Sequence, residues 1–224
     1  MYKRQDYACA VQVILLADYF GLDSLGTGMP LENTYLWHGH RYRDFSETWF
    51  WKHNSKLFSD VGLSLYQPVA GCSEVVNMMI VKQKGWLGWA QSCLRSNIPG
   101  EVCGRCWKCF RKNSLLGTPF IFDGEIKKFL SKRPLKQAAS TLYSMQKDSV
   151  SKEGINVKLL FDDLKPLLEK DLSFLERNYQ PALDLVPHRY RAFTRDILSK
   201  FSQSMSNQDI ELLKNINFFP ENTN

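Results

Sequence analysis

The sequence predicts an α/β fold: a partial parallel sheet with flanking helices over residues 6–117, a four-cysteine segment inside that region, and a mostly α-helical extension over residues 118–224. Three observations carry this reading. A helix-like apolar period, a short strand-like run and a loop with glycine follow one another twice before residue 82, and consecutive units of that kind build a parallel sheet. Four of the six cysteines lie between residues 93 and 109, with none beyond. All six tryptophans also precede residue 108, so composition shifts near residue 110 and a boundary is expected there.

Taken in order, Ala10, Ile14, Ala17 and Phe20 recur at helical spacing and predict a helix over 8–20, with Gly21 where a C-terminal cap belongs. Residues 22–25 read as a short buried strand leading into the loop Gly26-Thr27-Gly28-Met29-Pro30. An aromatic-rich helix is expected over 44–60 (Phe45, Trp49, Phe50, Trp51, Phe58), capped by Ser46 and ended by Gly62. The aromatics Trp49, Phe50 and Trp51 read as core and edge packing. A second strand over 63–66 stops at Pro68, and Ser73 caps a helix over 75–81. Beyond the cysteines, helical spacing covers 124–130, 135–143, 157–177 and 189–201, with Pro166 placed to kink or split the third. Asn207 caps a last short helix over 209–216, and residues 217–224 read as a frayed tail.

Hydrophobic residues make up 44% of the chain and charged residues 23%, ordinary values for a soluble globular protein. The net charge of +6 is spread without a block and reads as a solvated basic surface. The longest apolar stretch, over 11–20, is broken by Gln12 and Asp18 and is too short to span a bilayer, so no membrane partner and a cytoplasmic location are expected. The first five residues, Met-Tyr-Lys-Arg-Gln, look detached from the helix that follows, and the chain reads as a fragment lacking an N-terminal portion.

Cys93, Cys103, Cys106 and Cys109 have the spacing of a structural zinc site. Zinc takes four soft ligands at tetrahedral corners, and each Cys-x-x-Cys step lets two thiolates reach one ion across a tight turn. Gly104 relaxes the first turn, Cys106 serves both steps, and Pro99-Gly100 helps the chain double back from Cys93. The basic residues Arg95, Arg105, Lys108, Arg111 and Lys112 offset the double negative charge of four thiolates on one divalent ion. A redox dithiol, a disulfide pair and an iron–sulfur cluster are the competing readings. Cys9 and Cys72 fall outside the pattern and read as small buried hydrophobes.

The run Cys93 … Cys103-Gly104-Arg105-Cys106-Trp107-Lys108-Cys109-Phe110-Arg111 resembles the zinc site of 7-cyano-7-deazaguanine synthases, which belong to the ATP-pyrophosphatase group of adenine nucleotide alpha-hydrolases. Leu65-Tyr66-Gln67-Pro68 leading to Ser73-Glu74, and Leu25-Gly26-Thr27-Gly28, also resemble that family, so the resemblance covers about residues 8–117. It implies the C-terminal half of an alpha-hydrolase-like domain, structural Zn²⁺, and nucleotide- or substrate-binding roles for Gly26, Thr27, Gly28 and Glu74. It further implies a ligase that activates a small-molecule carboxylate with ATP and Mg²⁺ for attack by ammonia, in queuosine-type deazapurine chemistry.

The Ser-Gly-Gly-x-Asp-Ser phosphate loop of that family is absent. Gly21-Leu22-Asp23-Ser24 is only an echo of it, and it follows a helix instead of preceding one. The full reaction is therefore expected of a longer parent and not of this chain, and no catalytic residue is assigned. The alternative is a non-catalytic zinc-binding module for a nucleic acid or protein partner. Nucleic acid is disfavoured by the small basic excess, and a homodimer is left open. His38, His40, Arg41 and Arg43 form a polar loop that lines the ligand cleft or stands exposed; Ser73 and Glu74 serve either a ligand or the helix cap. His188, Arg189, Arg191 and Arg195 read as a solvated basic helix start.

Overall fold

A computed structural model of the chain describes residues 11–90, 93, 95–98, 101–147 and 151–219. Helix α1 (Val11–Phe20) is closed by Gly21, whose φ of 59° no β-carbon hinders. Strand β1 (Ser24–Gly26) follows, and helix α2 (Trp49–Asp60) carries the chain across to strand β2 (Ser64–Tyr66). The two strands pair in parallel, Ser24 with Ser64, Leu25 with Leu65 and Gly26 with Tyr66. Among the described residues the sheet has these two strands. A small apolar cluster of Ala17, Phe58, Leu63 and Leu65 joins α1, α2 and the sheet. The fold is thus mixed α/β, with the expected parallel pairing confined to two short strands.

Helix α3 (Glu74–Gln83) starts at Ser73, whose hydroxyl accepts the Val76 N–H as the sequence predicts. Helices α4 (Trp107–Leu116), α5 (Gly124–Leu130) and α6 (Ala138–Lys147) follow, then α7 (Lys165–Leu168), α8 (His188–Ser199) and α9 (Asn207–Lys214). The main core gathers Leu31, Phe45, Phe110, Ile126, Leu142, Phe174 and Leu213 into one cluster. Residues from either side of the 117/118 boundary share it.

Several elements differ from expectation for local reasons. The helix expected over 44–60 begins at Trp49, because the Thr48 hydroxyl accepts the Trp51 N–H while Ser46 donates to Asp44 instead. Trp49 is exposed and stacks on His53, whereas Phe50 and Trp51 pack on the core. The long helix expected over 157–177 is absent: the segment forms 3-10 turns at Val157–Leu159, Asp162–Leu164 and Ser173–Glu176 around the four-residue α7. Pro166 has no N–H to give, and the Asp171 carboxylate takes the Ser173 N–H in a local turn. The helix expected over 135–143 starts later, after Gln137 at φ 51°. The last helix is capped by Ser206, not Asn207, in a capping box with Asp209, which also pairs with Arg177. The tail is not frayed through 219: Asn217 bridges Arg41, and the Phe218 N–H donates to His40 O at 3.0 Å. Residues 220–224, like Cys9, the first five residues and Pro99-Gly100, lie outside the described residues.

The tightest joint between the two halves is at Gly71. Its carbonyl accepts the Tyr179 N–H at 2.8 Å, and a β-carbon there would lie 2.3 Å from the Tyr179 carbonyl oxygen. Backbone on both sides leaves no flexible atom to yield. Gly71→Ala is expected to cost about 3 kcal/mol, at the upper end of overpacking penalties. Urea unfolding followed by circular dichroism measures this, and a variant as stable as the parent contradicts the contact.

Candidate metal centre

Cys106 is the N-cap residue of α4, and Cys109 sits in its first turn. The left-handed turn at Gly104 (φ 70°) brings Cys103 back toward them, and Cys93 arrives from the preceding segment. The four sulfurs lie within 4.8 Å of one another. Individual Sγ···Sγ separations are 4.0 Å for Cys93–Cys106, 3.8 Å for Cys103–Cys109 and 3.5 Å for Cys106–Cys109. Cys93, Cys106 and Cys109 are buried and Cys103 is half-buried. Four thiols converging in this way form a group able to hold a metal ion.

The surroundings favour negative charge at Cys93. Burial, the largest influence, pushes its thiol up, but the backbone N–H groups of Cys103 and Arg95 together with the Cys103 and Cys109 thiols outweigh it and bring it down to about 6. The Cys103 N–H donates to Cys93 Sγ at 3.4 Å. Burial pushes Cys106 and Cys109 upward, and neighbouring sulfurs add to this at Cys109. Sulfurs this close cannot all ionise without a cation between them, and a divalent ion reverses that repulsion. The N-terminus of α4 adds its own partial positive charge. The flanking basic side chains are mostly occupied: Arg95 pairs with Glu125, Lys112 donates to Ala90 O, and Arg105 stands 4.0 Å from Asp123.

Two residues past Cys109, α4 delivers Arg111 into the interior. Its NH1 donates to Glu74 Oε2 at 2.7 Å and to Ser140 Oγ at 2.8 Å, and its guanidinium lies 4.5 Å from the Trp107 ring centre. The buried Nε–H has no hydrogen-bond partner among the described residues. Glu74 and Arg111 line a cavity of about 480 Å³ between α3 and α4, together with Met78, Trp89, Lys108 and Lys112. Thus α4 carries both Cys109 of the cluster and Arg111 of the pair, and Glu74 comes from the start of α3.

Behind the pair lies Glu32, fully buried, whose carboxylate oxygens both stand 3.0 Å from the Glu74 N–H. Burial first, and the Glu74 charge second, push its acid up to about 8, against the pull of Arg111. The folded chain therefore holds a proton that the unfolded chain has released. This stabilisation is complete below the ordinary carboxylate value of about 4.3 and is lost as pH rises toward 8. Stability is expected to fall by up to about 1.4 kcal/mol per pH unit across that window. Glu32→Gln, whose amide oxygen still accepts the Glu74 N–H, should flatten the profile in denaturant titrations between pH 5 and 8; an unchanged slope contradicts the assignment.

The other sequence-predicted residues are dispersed. Gly26, Thr27 and Gly28 stand at the carboxyl end of β1, where the Thr27 N–H donates to Tyr66 O and its hydroxyl donates to Gln67 Oε1 at 2.6 Å. They do not line the α3–α4 cavity. Cys72 is buried, and burial pushes its thiol up to about 12. His38, His40 and Arg41 line a different cavity, while Arg43 donates to the Thr34 and Asn33 carbonyls. Arg189 pairs with Asp23 and Arg191 with Asp184, so the α8 start is pinned and not simply solvated. Sequence reasoning missed Glu32; nothing in Pro30-Leu31-Glu32 marks it.

A family of unknown function (DUF6395) matches residues 53–217. The chain belongs to that family. The matched span contains β2, α3, all four clustered cysteines, Glu74 and Arg111, and leaves out β1, Gly26, Thr27, Gly28 and Glu32. Neither a curated protein nor a solved structure matches the chain. Among the described residues no helix is long and apolar enough to cross a membrane.

Proposed function

We propose that Cys93, Cys103, Cys106 and Cys109 hold one structural zinc ion, and that this centre fixes α4 so that Arg111 and Glu74 face a ligand cleft. The observation that carries the reading is the sulfur spacing. A tetrahedron with Zn–S bonds of about 2.3 Å separates its sulfurs by about 3.8 Å; three of the pairs lie at 3.5–4.0 Å and all lie within 4.8 Å. No pair approaches the ~2.05 Å of a disulfide, and an iron–sulfur cluster spreads its cysteines around several atoms instead of one. Four protein ligands leave no open position, so the ion supplies folding energy and not a reactive water. Metal analysis of the purified chain should find one zinc per chain and no iron; a metal-free, fully folded chain overturns the reading.

We further infer that the parent is a cytoplasmic, ATP-dependent carboxylate-activating ligase resembling 7-cyano-7-deazaguanine synthases. Support comes from the cysteine run with its following arginine, and from Gly26–Gly28 at a strand's carboxyl end, where α/β sheets bind ligands. In that role Arg111 would orient the carboxylate, Glu74 would hold the guanidinium in place, and Gly26, Thr27 and Gly28 would approach the nucleotide. Carboxylate-dependent ATP–pyrophosphate exchange by the full-length gene product is the measurement, and its absence leaves the alternative of a non-catalytic zinc module. One observation favours that alternative: Trp89 is exposed at the rim of the α3–α4 cleft, beside Lys108 and Lys112, as aromatic side chains at partner-binding surfaces are.

A further inference from the structure

Three cavities open around α3 and share walls. The α3–α4 cleft meets a second cavity of about 290 Å³ at Met78 and Leu115, and that cavity meets a third of about 400 Å³ at Met79 and Glu176. The shared walls join them into one groove. Its first part carries Lys108, Arg111 and Lys112, its second Lys82 and Lys147, and its third Arg177 and Lys200. Against these cations stand two carboxylates, Glu74 and Glu176.

Three of the cations are committed: Arg111 pairs with Glu74, Lys147 with Glu176 and Arg177 with Asp209. Those pairs neutralise both groove carboxylates, and Glu176 also accepts the Tyr143 hydroxyl. Lys82, Lys108, Lys112 and Lys200 have no carboxylate partner among the described residues. Lys112 gives one N–H to Ala90 O and keeps two. Lys108 and Lys112 lie one turn apart on α4 and line the same cavity, a like-charge pair that an anion between them relieves. Rings stand at both ends of the groove. Trp89 in the first part is 88% exposed. Phe201 lines the third, with the Lys84 ammonium 5.1 Å from its ring centre. The chain's net charge is only +6, so a basic excess too small to favour nucleic acid when averaged over the chain gathers on this face.

We propose that this groove binds single-stranded nucleic acid, with phosphates on the four unpaired lysines and bases on Trp89 and Phe201. A polyanion matches ammonium groups set along a path, and lysine holds phosphate as a point charge without demanding one geometry. Aromatic faces beside a cationic track stack bases whatever their sequence. An acidic protein segment would satisfy the lysines and leave the exposed indole unused. The proposal does not rest on the ligase reading: ATP–pyrophosphate exchange and strand binding are measured separately, and either can fail alone.

The test is fluorescence anisotropy of the full chain with labelled oligo(U) and oligo(dT) of about twelve nucleotides. At least one should bind with Kd below about 100 µM at about 50 mM salt. The logarithm of the binding constant should fall against log salt with a slope of about −2.8, from about −0.7 for each phosphate neutralised. Lys82→Gln with Lys200→Gln should halve that slope to about −1.4. Trp89→Ala should weaken binding about tenfold at fixed salt. Circular dichroism and zinc content should stay unchanged in both variants. Lys214→Gln on α9, exposed and outside the three cavities, should leave binding unaltered. Four outcomes overturn the proposal: no binding below about 1 mM, unchanged binding by either groove variant, a duplex bound as tightly as the single strand, or poly-glutamate competing as well as the oligonucleotide.

Discussion

Replacing Cys109 with serine is expected to lower zinc content well below one per chain and to destabilise the protein by several kcal/mol. The whole-site contribution of structural zinc in small peptides is about 10–16 kcal/mol. Losing one thiolate forfeits much of that and leaves three sulfurs, within 4.8 Å of one another before the change, without a closed shell. Cys109 is the informative ligand because it lies in the first turn of α4, the helix that carries Phe110 into the main core and Arg111 into the cleft. Unfolding should therefore spread past the metal loop, and a strong chelator acting on the parent should reproduce it. Cys72→Ser separates the two ways a cysteine can matter. That side chain is fully buried away from the cluster, so its variant should lose stability while keeping its zinc. Equal zinc content in both variants would remove Cys109 from the ligand set.

The cysteine cluster could be read from the sequence because ligand chemistry imposes spacing: two overlapping Cys-x-x-Cys steps with a glycine in the first leave little else to build. The strands could also be read, since 22–25 and 63–66 each follow a helix-like stretch, and the observed Ser24–Gly26 and Ser64–Tyr66 sit within a residue or two. What failed did so where local chemistry competes with period. The segment 157–177 has helical apolar spacing, yet its apolar residues serve the core from short turns, because Pro166 and the Asp171 turn break the hydrogen-bond ladder. Helix α4 was hidden the other way round: its N-cap and first turn carry Cys106 and Cys109, so the cysteine spacing masks its helical period. Glu74 could be placed at a helix start, but its pairing with Arg111 and its backing by Glu32 depend on contacts 37 and 42 residues apart in sequence, which no local pattern encodes.

Arg111→Met is expected to destabilise the chain by about 2–3 kcal/mol without releasing the metal. Breaking a buried ion pair by removing one partner costs about 3–5 kcal/mol when the remaining charge is stranded. Here the charge left behind is Glu74, whose side chain is 30% exposed toward the cleft, while Glu32 keeps its proton and needs no counter-ion. Both facts place the cost below the full range. Methionine fills most of the arginine stem's volume and removes the unpartnered Nε–H, a small gain against the loss. If the stranded carboxylate is the main penalty, adding Glu74→Gln should recover about half of it. The double-mutant cycle should then show a coupling of about 1–2 kcal/mol, within the range for contacting residues. Additive effects would mean that Arg111 acts through packing against Trp107 and Ser140 and not through the pair. Zinc lost together with stability would mean that α4 cannot hold the metal centre unless the cleft behind it is intact, and the order of dependence argued above, metal first and cleft second, would be reversed.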